Sequence, residues 1–128
     1  MLKDSHAFSG FSVDNMDKAK QFYSDTLGLD VKDGPMGLEV KLGGGGTLFI
    51  YQKDGHQPAT YTVLNFAVDD IDKAVDGLAA KGVNFERYDD IPADDKGIAR
   101  GIEAKMGPDI AWFKDPAGNI LSVLHGDM

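Results

Sequence analysis

The sequence predicts an α+β fold: two tandem βαβββ modules whose strands form a curled mixed sheet, with the helices outside. Three observations predict it. Residues 10–19 read GFSVDNMDKA and residues 65–74 read NFAVDDIDKA, a constant offset of 55. Each copy opens on a short alternating apolar run and passes through acidic or amide residues into an apolar stripe at helical spacing. A glycine, Gly28 or Gly82, then closes each stripe before a further set of strand-like runs. All of residues 1–128 is expected to be one domain, with modules covering about 5–55 and 60–126.

The elements follow in order. Residues 6–13 alternate as a strand, with Ala7, Ser9, Phe11 and Val13 on one face and Phe8, Gly10 and Ser12 on the other. Asp14 or Asn15 caps a helix over 16–26, whose buried stripe is Met16, Ala19, Phe22, Tyr23 and Leu27. Gly28 ends it in a left-handed cap. Residues 29–32, 37–42 and 47–52 are the remaining strands, and Gly43–Gly46 is the hairpin turn between the last two. That glycine run lacks the Gly-Lys-Ser/Thr ending and the following helix of a phosphate loop. A polar linker, KDGHQPA, leads to the second module. There, 61–68 is the first strand, Asp69 or Asp70 caps a helix over 71–81, and Gly82 stops it. Strands are expected at 83–87, in IEAKMG, in IAWFKD and at 120–125, with 88–101 irregular. Asp115, Pro116, Gly118 and Asn119 are turn chemistry.

Composition limits the function. A 128-residue chain buries roughly 65% of the surface its unfolded form exposes, enough for a core without staples. The absence of cysteine excludes disulfides, thiolate chemistry and cysteine-ligated metals. It fits a cytoplasmic protein. The first ten residues hold no apolar run of signal-peptide kind, and no segment is long and apolar enough to span a membrane. A net charge of −8 disfavours nucleic acid and anionic membrane as partners.

The duplicated pattern resembles the vicinal oxygen chelate superfamily, the glyoxalase/bleomycin resistance protein/dioxygenase-like proteins. The motifs that carry the resemblance are Val13-Asp14-Asn15-Met16, Phe22-Tyr23 and Leu27-Gly28-Leu29 in the first module. In the second they are Val68-Asp69-Asp70-Ile71 and Trp112-Phe113-Lys114-Asp115-Pro116-Ala117-Gly118-Asn119. The resemblance implies a homodimer, with modules pairing within or between chains. It also implies four metal-ligand places, at Phe8, Ile50, Val63 and Ser122, where metal-using relatives carry His, Glu or Gln. Phe, Ile and Val offer no lone pair and Ser is a weak ligand, so neither a family-type metal nor another cofactor is expected.

Alternation lines the expected cavity with Phe8, Gly10, Ser12, Leu48, Ile50, Gln52, Val63, Asn65, Ala67, Ile120, Ser122 and Leu124. It is an apolar cup with polar fixings at Ser12, Gln52, Asn65 and Ser122, suited to a small organic ligand. Trp112 is a candidate stacking wall, and Arg100 a candidate either for a ligand's carboxylate or phosphate or for a surface salt bridge. The ligand-binding set is therefore Phe8, Ser12, Ile50, Gln52, Val63, Asn65, Arg100, Trp112 and Ser122. Glu39 and Glu103 are symmetric candidates for a general base, each in the third strand of its module, and as polar-out members of ordinary alternation. His6, His56 and His125 are read as exposed or rim residues. The leading function is a metal-independent binder of a small organic molecule. The alternatives are a lyase, isomerase or dioxygenase-like enzyme using a divalent metal or a carboxylate base, and an accessory homodimer with a filled cavity.

Overall fold

The computed structural model describes residues 1–127. The chain divides into two compact units, Met1–Gln57 and Pro58–Met128, each with its own mixed sheet.

The first unit contains β1 (Ser9–Val13), α1 (Met16–Gln21), β2 (Asp30–Asp33), β3 (Leu38–Lys41) and β4 (Thr47–Gln52). Its strand order is β1-β4-β3-β2, with β1 parallel to β4 and the other pairs antiparallel. Of the two expected caps, Asn15 is the one used: it sits in extended backbone and accepts the Lys18 N–H at 3.0 Å. Gln52, at the end of β4, accepts the Met16 N–H at 3.0 Å, so the neighbouring strand satisfies a second orphan donor of the helix. After Gln21 the helix widens over Phe22–Thr26, where the Leu27 N–H reaches the Phe22 carbonyl five residues back at 2.9 Å. The expected helix is thus an α-helix that ends in a π-turn. Gly28, at φ 72°, takes the left-handed conformation that reverses the chain.

Val13, Leu38, Val40, Leu48, Ile50, Ala19 and Tyr23 form the buried core of this unit. The Phe11 ring meets Tyr23 at 6.2 Å, which identifies the helix side of the sheet. By register, Phe11 lies beside Ile50 and Leu38, whereas Ser12 lies beside Tyr51, and Gly10 beside Phe49 and Glu39. The side expected for β4 is therefore corrected. Leu48 and Ile50 face the helix, and Phe49 and Tyr51 face away from it. Both sets are apolar, so alternation within TLFIYQ carried no polar label; Glu39, opposite Phe49, supplies it.

The second unit contains β5 (Thr62–Ala67), α2 (Ile71–Ala80), β6 (Phe85–Glu86), β7 (Ala99–Arg100), α3 (Gly101–Ala104), β8 (Asp109–Lys114) and β9 (Ile120–His125). Its order is β5-β9-β8-β6, with β7 also paired to β8 and β5 parallel to β9. Asp70 caps α2 by accepting the Lys73 N–H at 3.0 Å, and Gly82 at φ 91° follows its end. α2 packs on β8 and β9.

One element differs in kind from its expectation. IEAKMG is not a strand: α3 occupies Gly101–Ala104 and Lys105 turns left-handed at φ 56°. Asp109 accepts the Ile102 N–H at 3.1 Å, and a Cβ at Gly101 would strike the Pro108 carbonyl. The chain folds back on the start of β8 there, which a strand cannot do. β8 therefore takes the place that β3 holds in the first unit. Glu103, exposed on α3, loses its symmetry with Glu39.

The Asp115–Asn119 turn joins β8 to β9. Asp115, only 5% exposed, accepts the N–H groups of Ala117 and Asn119 at 2.9 and 2.8 Å and the Asn119 side-chain amide at 2.9 Å. Gly118 supplies φ 87°. Among the described residues no helix is long and apolar enough to cross a membrane. Asp115→Ala is expected to destabilise the protein by about 1–3 kcal/mol for each buried donor left without its acceptor. The measurement is urea unfolding, in which the midpoint falls while the slope is unchanged.

Candidate functional site

In the first unit, the sheet face turned away from α1 carries an aromatic row. Phe8 and Phe49 meet edge to face at 6.5 Å, and Phe49 stacks on Tyr51 at 5.9 Å with 20° between the planes. Phe8 is 60% and Tyr51 37% exposed, while Phe49 is half-buried. The row follows from strand pleating, which sends residues two apart to one face. Glycines shape it. Gly10 lies directly against the Phe49 backbone, and the Phe49 ring comes within 3.0 Å of where a Gly37 Cβ would stand. A side chain at Gly37 would also strike the Ile50 carbonyl, so the ring keeps its place only over a glycine.

Ser12 shares this face. Its Oγ is 2.6 Å from Nδ1 of His56, which the linker brings back over β1. The Lys53 N–H donates to the Val13 carbonyl at 3.0 Å, and the His56 N–H to the Lys53 carbonyl at 3.1 Å. Gly55, at φ 72°, fills the third position of that turn. His56, expected as a rim residue of the linker, is thus joined to a predicted site serine.

In the second unit, Asn65, Ser122 and Trp112 align across β5, β9 and β8. Ser122, fully buried, donates to Asn65 Oδ1 at 2.5 Å. A bulge at Val63 shifts the register, so Thr62 rather than Val63 joins this face. The Trp112 Nε1–H donates to Thr62 Oγ1 at 3.1 Å, and the Tyr88 ring lies edge-on to the indole at 5.6 Å. Burial raises the Tyr88 phenol above its usual range, and the nearby Glu86 adds to the effect, so it remains a neutral hydroxyl. Glu86 pairs with Lys114 at 3.3 Å beside it.

Four of the expected binding residues have other surroundings. Val63 lies at the β5 bulge, off the face that Thr62 and Asn65 share. Ile50 is 0% exposed on the helix side. Gln52 is occupied at the start of α1. Arg100 is held by carboxylates: its Nη2 is 2.8 Å from Asp72, its Nε 3.0 Å from Asp94 and its Nη1 3.7 Å from Asp109. The hydrogen bond to Asp72 leads the effects that hold its pKa above the usual guanidinium value. A guanidinium so neutralised has little left for a ligand anion. Phe8, Ser12, Asn65, Trp112 and Ser122 stand on the two faces described above. Phe49, Tyr51, His56, Thr62 and Tyr88 join them without having been singled out for binding; the strand pairing is the signal that finds them.

The other titratable candidates are dispersed. His6 lies exposed near the Phe8 ring at 6.2 Å, and His125 Nδ1 is 2.9 Å from the Val68 carbonyl. Among the described residues no three His, Cys, Asp or Glu side chains come together as a metal site. The donor set at Phe8, Ile50, Val63 and Ser122 does not fit a divalent ion: three of the four have no lone pair, and Ile50 points to the helix.

The model of the Glyoxalase/Bleomycin resistance protein/Dioxygenase superfamily matches residues 6–123. The chain belongs to this superfamily. Solved glyoxalase-superfamily structures share its fold. TnmS3, an antibiotic binding protein from a Streptomyces species, is 22% identical, with 99% of this chain and 100% of that one covered at a TM-score of 0.68. A glyoxalase family protein from Enterococcus faecalis is 23% identical, with 96% and 98% covered at 0.66. The fosfomycin resistance protein FosX from Listeria monocytogenes is 14% identical, with 95% and 93% covered at 0.69. No curated protein matches the sequence. The glyoxalase-type βαβββ order explains why β1 and β4, far apart in sequence, present Ser12 and Tyr51 side by side.

The Arg100 cluster predicts a pH response. The Arg100 hydrogen bond leads the effects that lower Asp72. At Asp94, burial opposes ionisation but is outweighed by the N–H groups of Ile98 and Lys96 and by Arg100. Both carboxyls titrate below their ordinary 3.8. Their contribution is complete above that value and is lost as pH falls through the lowered ones. Protection of the Ile98 amide against hydrogen exchange, taken relative to the intrinsic rate at each pH, is expected to fall in acid more steeply in the wild type than in Arg100→Gln.

Proposed function

We propose that the protein binds a small, partly apolar organic molecule on the open face of the first unit. The carrying observation is the exposed row Phe8–Phe49–Tyr51 with the Ser12–His56 pair beside it. Stacked aromatic side chains give a ligand large contact area at low entropic cost, and a few polar groups orient it. The second unit's Trp112, Tyr88 and Asn65 offer similar chemistry. Asn65 accepts from Ser122 through its oxygen, and its NH₂ remains a donor. The antibiotic binding and fosfomycin resistance proteins that share the fold support a binding role.

The reading is of a metal-free binder, supported by the lack of donor atoms at Phe8, Ile50 and Val63. The net charge of −8 favours a cationic or neutral ligand over an anion. A homodimer belongs to the same proposal, supported by the large apolar side chains left exposed at Phe8, Met36 and Tyr61. A cytoplasmic location fits the absence of cysteine.

A thermal-shift screen with planar aromatic cations, neutral aromatics and their anionic analogues tests the binding. Cations or neutral compounds are expected to stabilise the protein, and calorimetry with the best of them should show about tenfold weaker binding by Phe49→Ala and by Tyr51→Ala. Undiminished affinity in both variants would place the ligand elsewhere. Light scattering is expected to give twice the mass of one chain; a monomer would remove the dimer from the proposal.

A further inference from the structure

We propose that Ser12 is a nucleophile and His56 its general base, and that the pair accepts acyl groups from small aryl or alkyl esters lying on the Phe49–Tyr51 face. Four observations carry this.

The first is distance. Ser12 Oγ and His56 Nδ1 are 2.6 Å apart, within the reach needed for direct proton transfer. With the imidazole proton on Nε2, Nδ1 accepts from the hydroxyl and polarises it toward attack. The second is the backbone that places the ring: the Lys53–Val13 and His56–Lys53 bonds fix the turn that holds His56 over β1. The third is access. Ser12 is half-buried, and Gly10, two residues earlier on the same face, presents no side chain. The fourth is the neighbouring surface. Tyr51 is the direct register partner of Ser12, and Phe49 stacks on Tyr51. An aryl group lying on this pair brings an adjoining ester carbonyl next to Ser12.

The step balances without any further reagent. Ser12 Oγ forms a bond to the acyl carbon as its proton passes to Nδ1 of His56. The bond from that carbon to the leaving alcohol or phenol oxygen breaks, and that oxygen takes the proton from Nδ1. Water then attacks the acyl-serine. His56 takes the water's proton and returns it to Ser12 Oγ, which releases the carboxylic acid. No electron leaves or enters, and no metal takes part. Binding on the same face does not depend on this chemistry, so the two can fail separately.

The test uses the full chain and p-nitrophenyl acetate. A burst of p-nitrophenolate is followed by absorbance, and the acylated residue is located by peptide mass spectrometry. The expected result is one acetyl group on Ser12 of the wild type, none at that peptide in Ser12→Ala, and acylation at least tenfold slower in His56→Gln with unchanged circular dichroism. That loss is the low side of a general-base contribution of about 10²–10⁴. Wild-type protein that carries no acetyl at Ser12, or carries it only on lysines or on His56, overturns the proposal. That readout needs no variant to fold. Equal Ser12 acylation in wild type and folded His56→Gln overturns the role of the histidine.

Discussion

One long helical segment serves each βαβββ sheet, and it can cover only one face. This constraint organises both units. In the first, the covered face holds Val13, Leu38, Val40, Leu48 and Ile50, all buried, with Tyr23 and Ala19 from the helical segment. The other face is left to side chains that tolerate both water and contact: Ser12, Glu39, Phe49 and Tyr51. Parallel pairing of the first and last strands makes this possible. It places a strand that precedes the helix beside one that follows two antiparallel turns, and so joins distant sequence on one surface.

The two units use their polar residues differently. In the second, charge is spent internally. Arg100 gathers Asp72, Asp94 and Asp109, and Arg87 donates to the carbonyls of Asp94 and Asp95 at 2.8 and 2.9 Å. The irregular stretch before β8 is thereby tied to the start of α2. In the first unit, the Ser12–His56 contact lies on an aromatic surface rather than within an ion network. The same fold thus carries a charge-compensated loop in one half and a chemically capable pair in the other.

Much of the architecture is legible in the sequence. The repeat at residues 10 and 65, the glycines after each helix and the DPAGN turn all act locally, through backbone preferences and period. Asn15 and Asp70 cap, Gly28 and Gly82 reverse, and Asp115 with Asn119 closes a turn, as their chemistry implies. IEAKMG misled because a short alternating segment fits either a strand or one helical turn. The Gly101–Pro108 approach and the Asp109 cap decided the matter.

The site was legible only in part. For Phe8, Ser12, Asn65, Trp112 and Ser122 alternation within the strand is enough to assign the sheet face they occupy. Ile50 and Gln52 were misplaced because β4 is apolar on both faces, and only its pairing with β3 shows that Phe49 lies beside Glu39. Arg100 reads as a ligand contact or a surface ion pair; the ion-pair reading holds, with carboxylates from α2, the loop before β7 and β8 that the sequence does not identify. His56 looked like linker because nothing in KDGHQPA records that Gly55 turns the chain back onto β1. The sequence by itself determined the repeat, the two long helical segments with their caps and the DPAGN turn, since each depends on residues a few positions apart. Tertiary structure decided which face each strand shows and which side chains meet, since both depend on register between strands some 40 residues apart.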